Sequence, residues 1–270
     1  MSSPTFQKIA VLLNLSDSDN MLIMNGIKLT SIFRKELLLV HYSKRESGKW
    51  PDSVKQRLHN LVIYYNKEVP GLKISGLCIS GPASDLSLRL ADENETIIII
   101  SDSKEYGKYS SAVSRSPVPF IFINPEAGLS EFRKLVLPVD LRKGNSDSAL
   151  WSTYFGRFNN SEIIVVAANQ KGKYEKRQVA ENTLIADKLM KKFQINHKIV
   201  RGRKSSLHNT FEAFNLALSV NCDLFVMLGS STITPIDRLI GLPEKKIITH
   251  AGEVPVMLIN SGLDNYYLCD

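Results

Sequence analysis

The chain has 270 residues, of which 43% are hydrophobic and 23% charged, and carries a formal net charge of +7. That composition belongs to globular proteins rather than to disordered or collagen-like chains, and the length suits two domains of the usual ~100–200 residues. No apolar run approaches the ~18 residues of a membrane span, and the N-terminus lacks the layout of a secretory signal, so a cytoplasmic protein without a membrane partner is expected.

Short apolar, β-branched runs alternate with longer amphipathic stretches along the whole chain. In the first half, strands are predicted near Lys8–Leu15, Glu36–Tyr42, Lys73–Ile79, Thr96–Ser101 and Val118–Asn124, with helices near Ser18–Arg34, Pro51–Glu68 and Ala83–Asp92. In the second half, the strands fall near Lys134–Asp140, Glu162–Asn169, His197–Arg201, Leu224–Gly229 and Pro255–Asn260. Its helices fall near Asn145–Phe158, Glu175–Phe193 and Ser206–Val220. This alternation is the pattern of β/α units wound around a mostly parallel sheet. Runs such as Thr96–Ile100 and Ile163–Ala168 lack polar alternation, which calls for burial of both sheet faces under helices.

The two halves repeat one another. Residues Phe6–Leu15 align without a gap on Phe132–Leu141 at an offset of 126, and Val118–Asn124 matches Val254–Asn260 at an offset of 136. Pro125 and Gly128 break the chain between them. Two domains follow, residues 1–127 and 128–270. Each ends in a Val-Pro-apolar strand, and an open sheet's edge needs pairing or cover, so these last strands are expected to pack the halves together as a pseudo-dimer. Homo-oligomer formation stays open.

Charge is uneven, +2 over residues 1–130 and +5 over residues 131–270, with cations concentrated in Lys171–Arg177 and at Arg201, Arg203 and Lys204. The aromatic interleaving of a single-strand binding groove is missing, so nucleic acid is not the expected partner. Cys78, Cys222 and Cys269 are odd in number and widely spaced, as reduced thiols are. Histidines 41, 59, 197, 208 and 250 show no metal-ligand spacing, and no structural metal is expected. Neither a P-loop, a Gly-x-Gly-x-x-Gly fingerprint nor a Gly-x-Ser-x-Gly elbow occurs, so nothing points to a P-loop NTPase, a Rossmann dehydrogenase or a serine hydrolase.

Several segments resemble the universal stress protein family. Asp223–Gly229 is similar to its fourth strand and following glycine, and Leu137-Pro138-Val139-Asp140 to the end of its first strand. The Val-Pro-Val ending at Val256 is similar to its last strand, and Gly81-Pro82-Ala83 to the junction after its third. Both halves match in element order, as in tandem members. The resemblance implies two open five-stranded α/β sheets in the order 3-2-1-4-5, with helices on both faces and pairing of the two units.

Many members of that family bind ATP through Gly-x2-Gly-x9-Gly-Ser/Thr after strand four, together with an aspartate at the end of strand one. Carried onto this sequence, the resemblance marks Asp140, Gly229, Thr232 and Gly241 as the candidate nucleotide site. Glycines let backbone amides approach phosphate, and a helix start favours negative charge. Thr232 replaces the second glycine, eight residues rather than nine precede Gly241, and Leu242-Pro243 stands where the hydroxyl residue should be. Pro243 has no amide proton to offer. In the first half Asn14 replaces the aspartate, and Ser101 to Pro119 spans 18 positions against 26 from Gly229 to Pro255. Most of the cradle's loop and helix is therefore expected to be missing there.

The expectation is a universal-stress-type interaction module in stress response or signalling, with unidentified protein partners, no catalytic residues, and no or weak nucleotide binding. The alternative is a sensor of ATP or another adenine nucleotide, or a slow ATPase, that uses the second half.

Overall fold

The structure, a computed structural model, describes residues 6–44, 50–229, 243–261 and 268. The chain divides into two compact units, Met1–Leu129, with which the buried Leu268 is grouped, and Ser130–Gly262.

The first unit runs β1 (Lys8–Leu13), α1 (Asp19–Phe33), β2 (Glu36–Ser43), α2 (Asp52–Glu68), β3 (Ile74–Ser80), α3 (Leu86–Asn94), β4 (Thr96–Asp102), α4 (Tyr106–Val113) and β5 (Phe120–Ile123). Its strands lie in the order β3-β2-β1-β4-β5, and the pairs are parallel. The second unit runs β6 (Lys134–Val139), α5 (Asn145–Asn159), β7 (Glu162–Ala167), α6 (Lys173–Lys192), β8 (His197–Arg201), α7 (Ser206–Ser219), β9 (Leu224–Leu228), α8 (Pro243–His250) and β10 (Val256–Ile259). Its order, β8-β7-β6-β9-β10, is again parallel and again 3-2-1-4-5 counted within the unit. Helices cover both faces of the sheet, as the continuous apolar strands require. All seven residues of β4 are buried, and β7 is buried after its first residue.

Close packing beneath a helix is written into the sequence at two glycines, one over strands and the other over the connection before β8. A Cβ on Gly26 in α1 would stand 2.7 Å from Val11 Cγ2 and 3.0 Å from Leu37 Cδ1, and one on Gly156 in α5 would stand 2.5 Å from Ile195 Cγ2. Any side chain there would push its helix off the layer beneath.

Three elements differ from the sequence expectation. The stretch from Ala83 splits into a 3-10 turn, Ala83–Asp85, and α3. The first half is not stripped of its last helix. The 3-10 turn Ser103–Glu105 leads into α4, which buries Tyr106, Tyr109, Ala112 and Val113, a helical stripe obscured by four intervening small or polar residues. In the second half, α8 begins at Pro243. The proline that lacks a donor for phosphate suits the first turn of a helix, where that donor is unneeded.

Cys78 and Cys222 carry free thiols. Burial pushes the Cys222 thiol up to about 12, so it packs as a small apolar group rather than reacting as a thiolate. Cys269 lies outside the described residues.

Candidate functional site

In the second unit the chain winds outward from β6 through β7 to β8, and in the opposite direction from β9 to β10. The order therefore reverses between β6 and β9, and ligands of open α/β sheets bind at the carboxyl ends of the strands flanking such a reversal. Asp140 follows the last residue of β6 and Gly229 the last residue of β9, so these two sequence-predicted residues flank that point. Thr232 and Gly241 lie outside the described residues.

Gly229 is held at the strand end by its own amide, which donates to Ile259 O at 2.8 Å. A Cβ there would stand 2.5 Å from Asn260 Oδ1, so that side-chain end would have to turn aside to admit one.

Asp140 is 2% exposed, and its carboxylate is engaged from within the chain. Oδ1 accepts from the Arg142 amide at 2.9 Å, from Arg142 Nε at 3.1 Å and from Asn145 Nδ2 at 3.3 Å. Oδ2 accepts from Arg142 Nε at 2.9 Å and Nη2 at 2.7 Å. The guanidinium thus sits across the carboxylate in a two-pronged ion pair, the strongest common arrangement for this charge.

Around the pair, buried amides tie down the strand ends. Asn182 Nδ2 on α6 donates to Asp140 O at 2.7 Å and Arg142 O at 3.1 Å, and Asn145 Nδ2 donates to both of the same carbonyls. Asn209 Nδ2 on α7 donates to Val139 O at 3.2 Å and Val166 O at 3.0 Å, clipping β6 to β7. Ser206 Oγ accepts from the Leu141 amide at 3.3 Å and from Gln170 Nε2. Sequence reasoning had not singled out Arg142, Asn145, Asn182 or Asn209. Two of them did carry a signal. Asn182 lies on the buried stripe Val179, Asn182, Ala186, Met190, and Asn209 on the stripe Asn209, Ala213, Ala217. A polar residue on a buried face must find a partner.

At the corresponding edge of the first unit, Asn14 stands after β1 and its Oδ1 accepts from Lys108 Nζ at 2.8 Å. The carboxylate absent from that position comes instead from Asp19 at the start of α1, which accepts from the amides of Asn14 at 3.3 Å and Ser16 at 2.9 Å. Asp102 ends β4, and its Oδ1 accepts from the Lys104 amide at 2.8 Å. Burial, foremost, holds both carboxyls above their ordinary range, and Asp19 adds to the charge repulsion felt by Asp102. A raised carboxyl stabilises the fold most when protonated, and this contribution is lost as pH rises through the folded-state value. Asp102→Asn retains an acceptor for the Lys104 amide and removes the buried charge. It is expected to raise the unfolding midpoint at pH 7, with the gain disappearing towards about pH 4, where the unfolded carboxyl also protonates. Thermal unfolding at the two pH values checks this, and a variant less stable than the parent at pH 7 would contradict it.

Among the described residues no group of three or more His, Cys, Asp and Glu side chains is placed to hold a metal, and no helix is long and apolar enough to cross a membrane. His250, at the end of α8, is exposed and turns its Nδ1 to Lys246 O at 2.8 Å.

No protein-family model and no curated protein matches the chain. Solved structures do. A universal stress protein from Archaeoglobus fulgidus is similar with a TM-score of 0.63 at 13% identity, covering 96% of this chain and 97% of that one. A functionally unknown protein from Pseudomonas aeruginosa is similar at the same TM-score and identity, covering 96% and 93%. The class defined is that of tandem α/β proteins with a parallel 3-2-1-4-5 sheet in each unit. Over nearly its whole length, this chain has the universal stress protein fold.

Proposed function

We propose that the chain acts as a universal-stress-type interaction module, in stress response or signalling, with no or weak nucleotide binding at the β6–β9 edge. The observation that supports this best is the ion pair between Asp140 and Arg142. A carboxylate at that place could receive donors from an adenosine, but both oxygens already accept from Arg142, and Asn145 adds a further donor. A nucleotide would have to displace a guanidinium that costs no loop closure to hold, since it lies two residues away. The sequence departures at Thr232, at the shortened spacing to Gly241 and at Pro243 weaken the phosphate end of the same site.

A mass spectrum of whatever co-purifies, taken after gentle denaturation, tests this reading. The expected result is no stoichiometric adenine nucleotide. A full equivalent would favour the alternative, a nucleotide sensor working through the second unit.

The reading includes pairing of the two halves, argued from the matching Val-Pro-apolar strands that close each one. Halves expressed separately, residues 1–127 and 128–270, are expected to aggregate or to associate when mixed. Two stable, non-interacting monomers in sedimentation would contradict the pairing.

A further inference from the structure

The edge strand of the second unit, β8, is more exposed than the other described strands, including β3, the edge strand of the first unit. Every residue of β8 after His197 is exposed, with Ile199 and Val200 each at 41%. Beside it, α6 leaves Leu184 and Ile185 each at 49%. Between them runs an open groove of about 670 Å³, within the roughly 300–1,000 Å³ of small-molecule clefts. Its floor is apolar and made of small or β-branched side chains, Ala167, Ala168, Val179 and Ala180, flanked by Leu184 and Ile199.

The charges at its rim are not balanced. Lys191 and His197 both hold Asp187, at 2.8 and 2.9 Å, and keep its carboxyl below the usual range, so this one acid on the groove is spent. Lys176 and Arg201 also line the groove, and neither forms an ion pair among the described residues; Arg201 Nη2 reaches only the amide oxygen of Asn169, at 3.0 Å. At Gln170 the groove meets a second, polar pocket of about 450 Å³, lined by Lys171, Arg203 and Lys204 and by one acid, Glu175, while Glu212 accepts from the Arg203 and Lys204 amides. The first unit supplies a comparison. The groove in the same place there, between α2 and β3, is of similar size, about 620 Å³, but its Lys55 is paired with Asp52 at 3.7 Å. Apolar floor and unspent cations coincide in the second unit.

We propose that the groove between α6 and β8 binds a free fatty carboxylate, with its chain along the alanine-lined floor and its head between Lys176 and Arg201. A linear chain fits a shallow, unbranched channel, and Arg201 presents a planar fork suited to a carboxylate. The site is distinct from the β6–β9 edge and does not depend on whether a nucleotide binds there.

Calorimetric titration of the full chain with dodecanoate, below its micelle concentration, tests the proposal. One equivalent is expected to bind, with decanoate roughly tenfold weaker, since each methylene contributes about three- to fourfold. Dodecyltrimethylammonium, with the same chain and the opposite charge, is expected not to bind. Ala180→Trp fills the groove from an exposed helix position, and Lys176→Glu with Arg201→Glu reverses the rim. Each is expected to weaken dodecanoate at least about tenfold with the unfolding midpoint retained. Any of four results would overturn the proposal: no dodecanoate binding, equal binding of the cationic amphiphile, affinity unchanged in both variants, or concentration-dependent self-association that Ala180→Trp abolishes and dodecanoate leaves untouched. The last would make a second copy of the chain the occupant of this face.

Discussion

Trp151→Ala is expected to lower the stability of the chain by about 3–5 kcal/mol, the range for emptying a large aromatic site in a core. Trp151 is 1% exposed and sits on α5, the helix that packs across β6, β7 and β9 and against α6. Its ring meets Tyr154 edge-on at 5.4 Å, so truncation loses an aromatic contact as well as buried area. The hole is poorly able to collapse, because Gly156 holds the same helix tightly against Ile195. Denaturant unfolding measures the loss, with Leu184→Ala, at a half-exposed position, as a control that should stay within about 0.5 kcal/mol. Equal effects of the two would mean that α5 is not the buried centre of its unit.

Asp140→Ala is expected to cost about 2–3 kcal/mol, more than a surface ion pair and less than a fully buried one. The carboxylate is almost wholly buried, whereas Arg142 keeps 22% of its side chain exposed and can turn partly to water once its partner is gone. The lost acceptor also releases the Arg142 amide and one arm of Asn145, which order the entry into α5. Arg142→Ala should be comparably destabilising because it strands the buried charge, and the double replacement should cost less than the sum of the two single ones. Additive effects would show that the two groups do not act as a pair.

Much of this architecture was legible in the sequence because the fold depends on patterns that cannot be disguised. The apolar runs that became β4 and β7 have no polar alternation, and the gapless alignment of Phe6–Leu15 on Phe132–Leu141 placed β1 and β6 at equivalent positions. What escaped was short or context-dependent. The eight residues of α4 carry too few turns for their stripe to stand out, and α8 begins at a proline that reads equally well as a loop residue. At the candidate site, the resemblance marked Asp140 and Gly229, and both follow the ends of strands legible from their apolar runs. That Asp140 would be closed off by Arg142 could not be read, because it depends on how the loop after β6 turns back on itself, a matter of a few dihedral angles with no periodicity. The exposure of β8 was equally hidden: His197–Arg201 is correct as a strand, but a strand's place at the sheet edge follows from topology.

The central claim is that Asp140 serves the fold and is not free to hold an adenine nucleotide tightly. Calorimetric titration of ATP into ligand-free protein tests it most directly, with Arg142→Ala and Asp140→Ala alongside. The account predicts no binding or binding in the upper micromolar to millimolar range, roughly −4 to −6 kcal/mol, without hydrolysis. Low-micromolar or tighter binding by the parent chain that is lost in Asp140→Ala would contradict it.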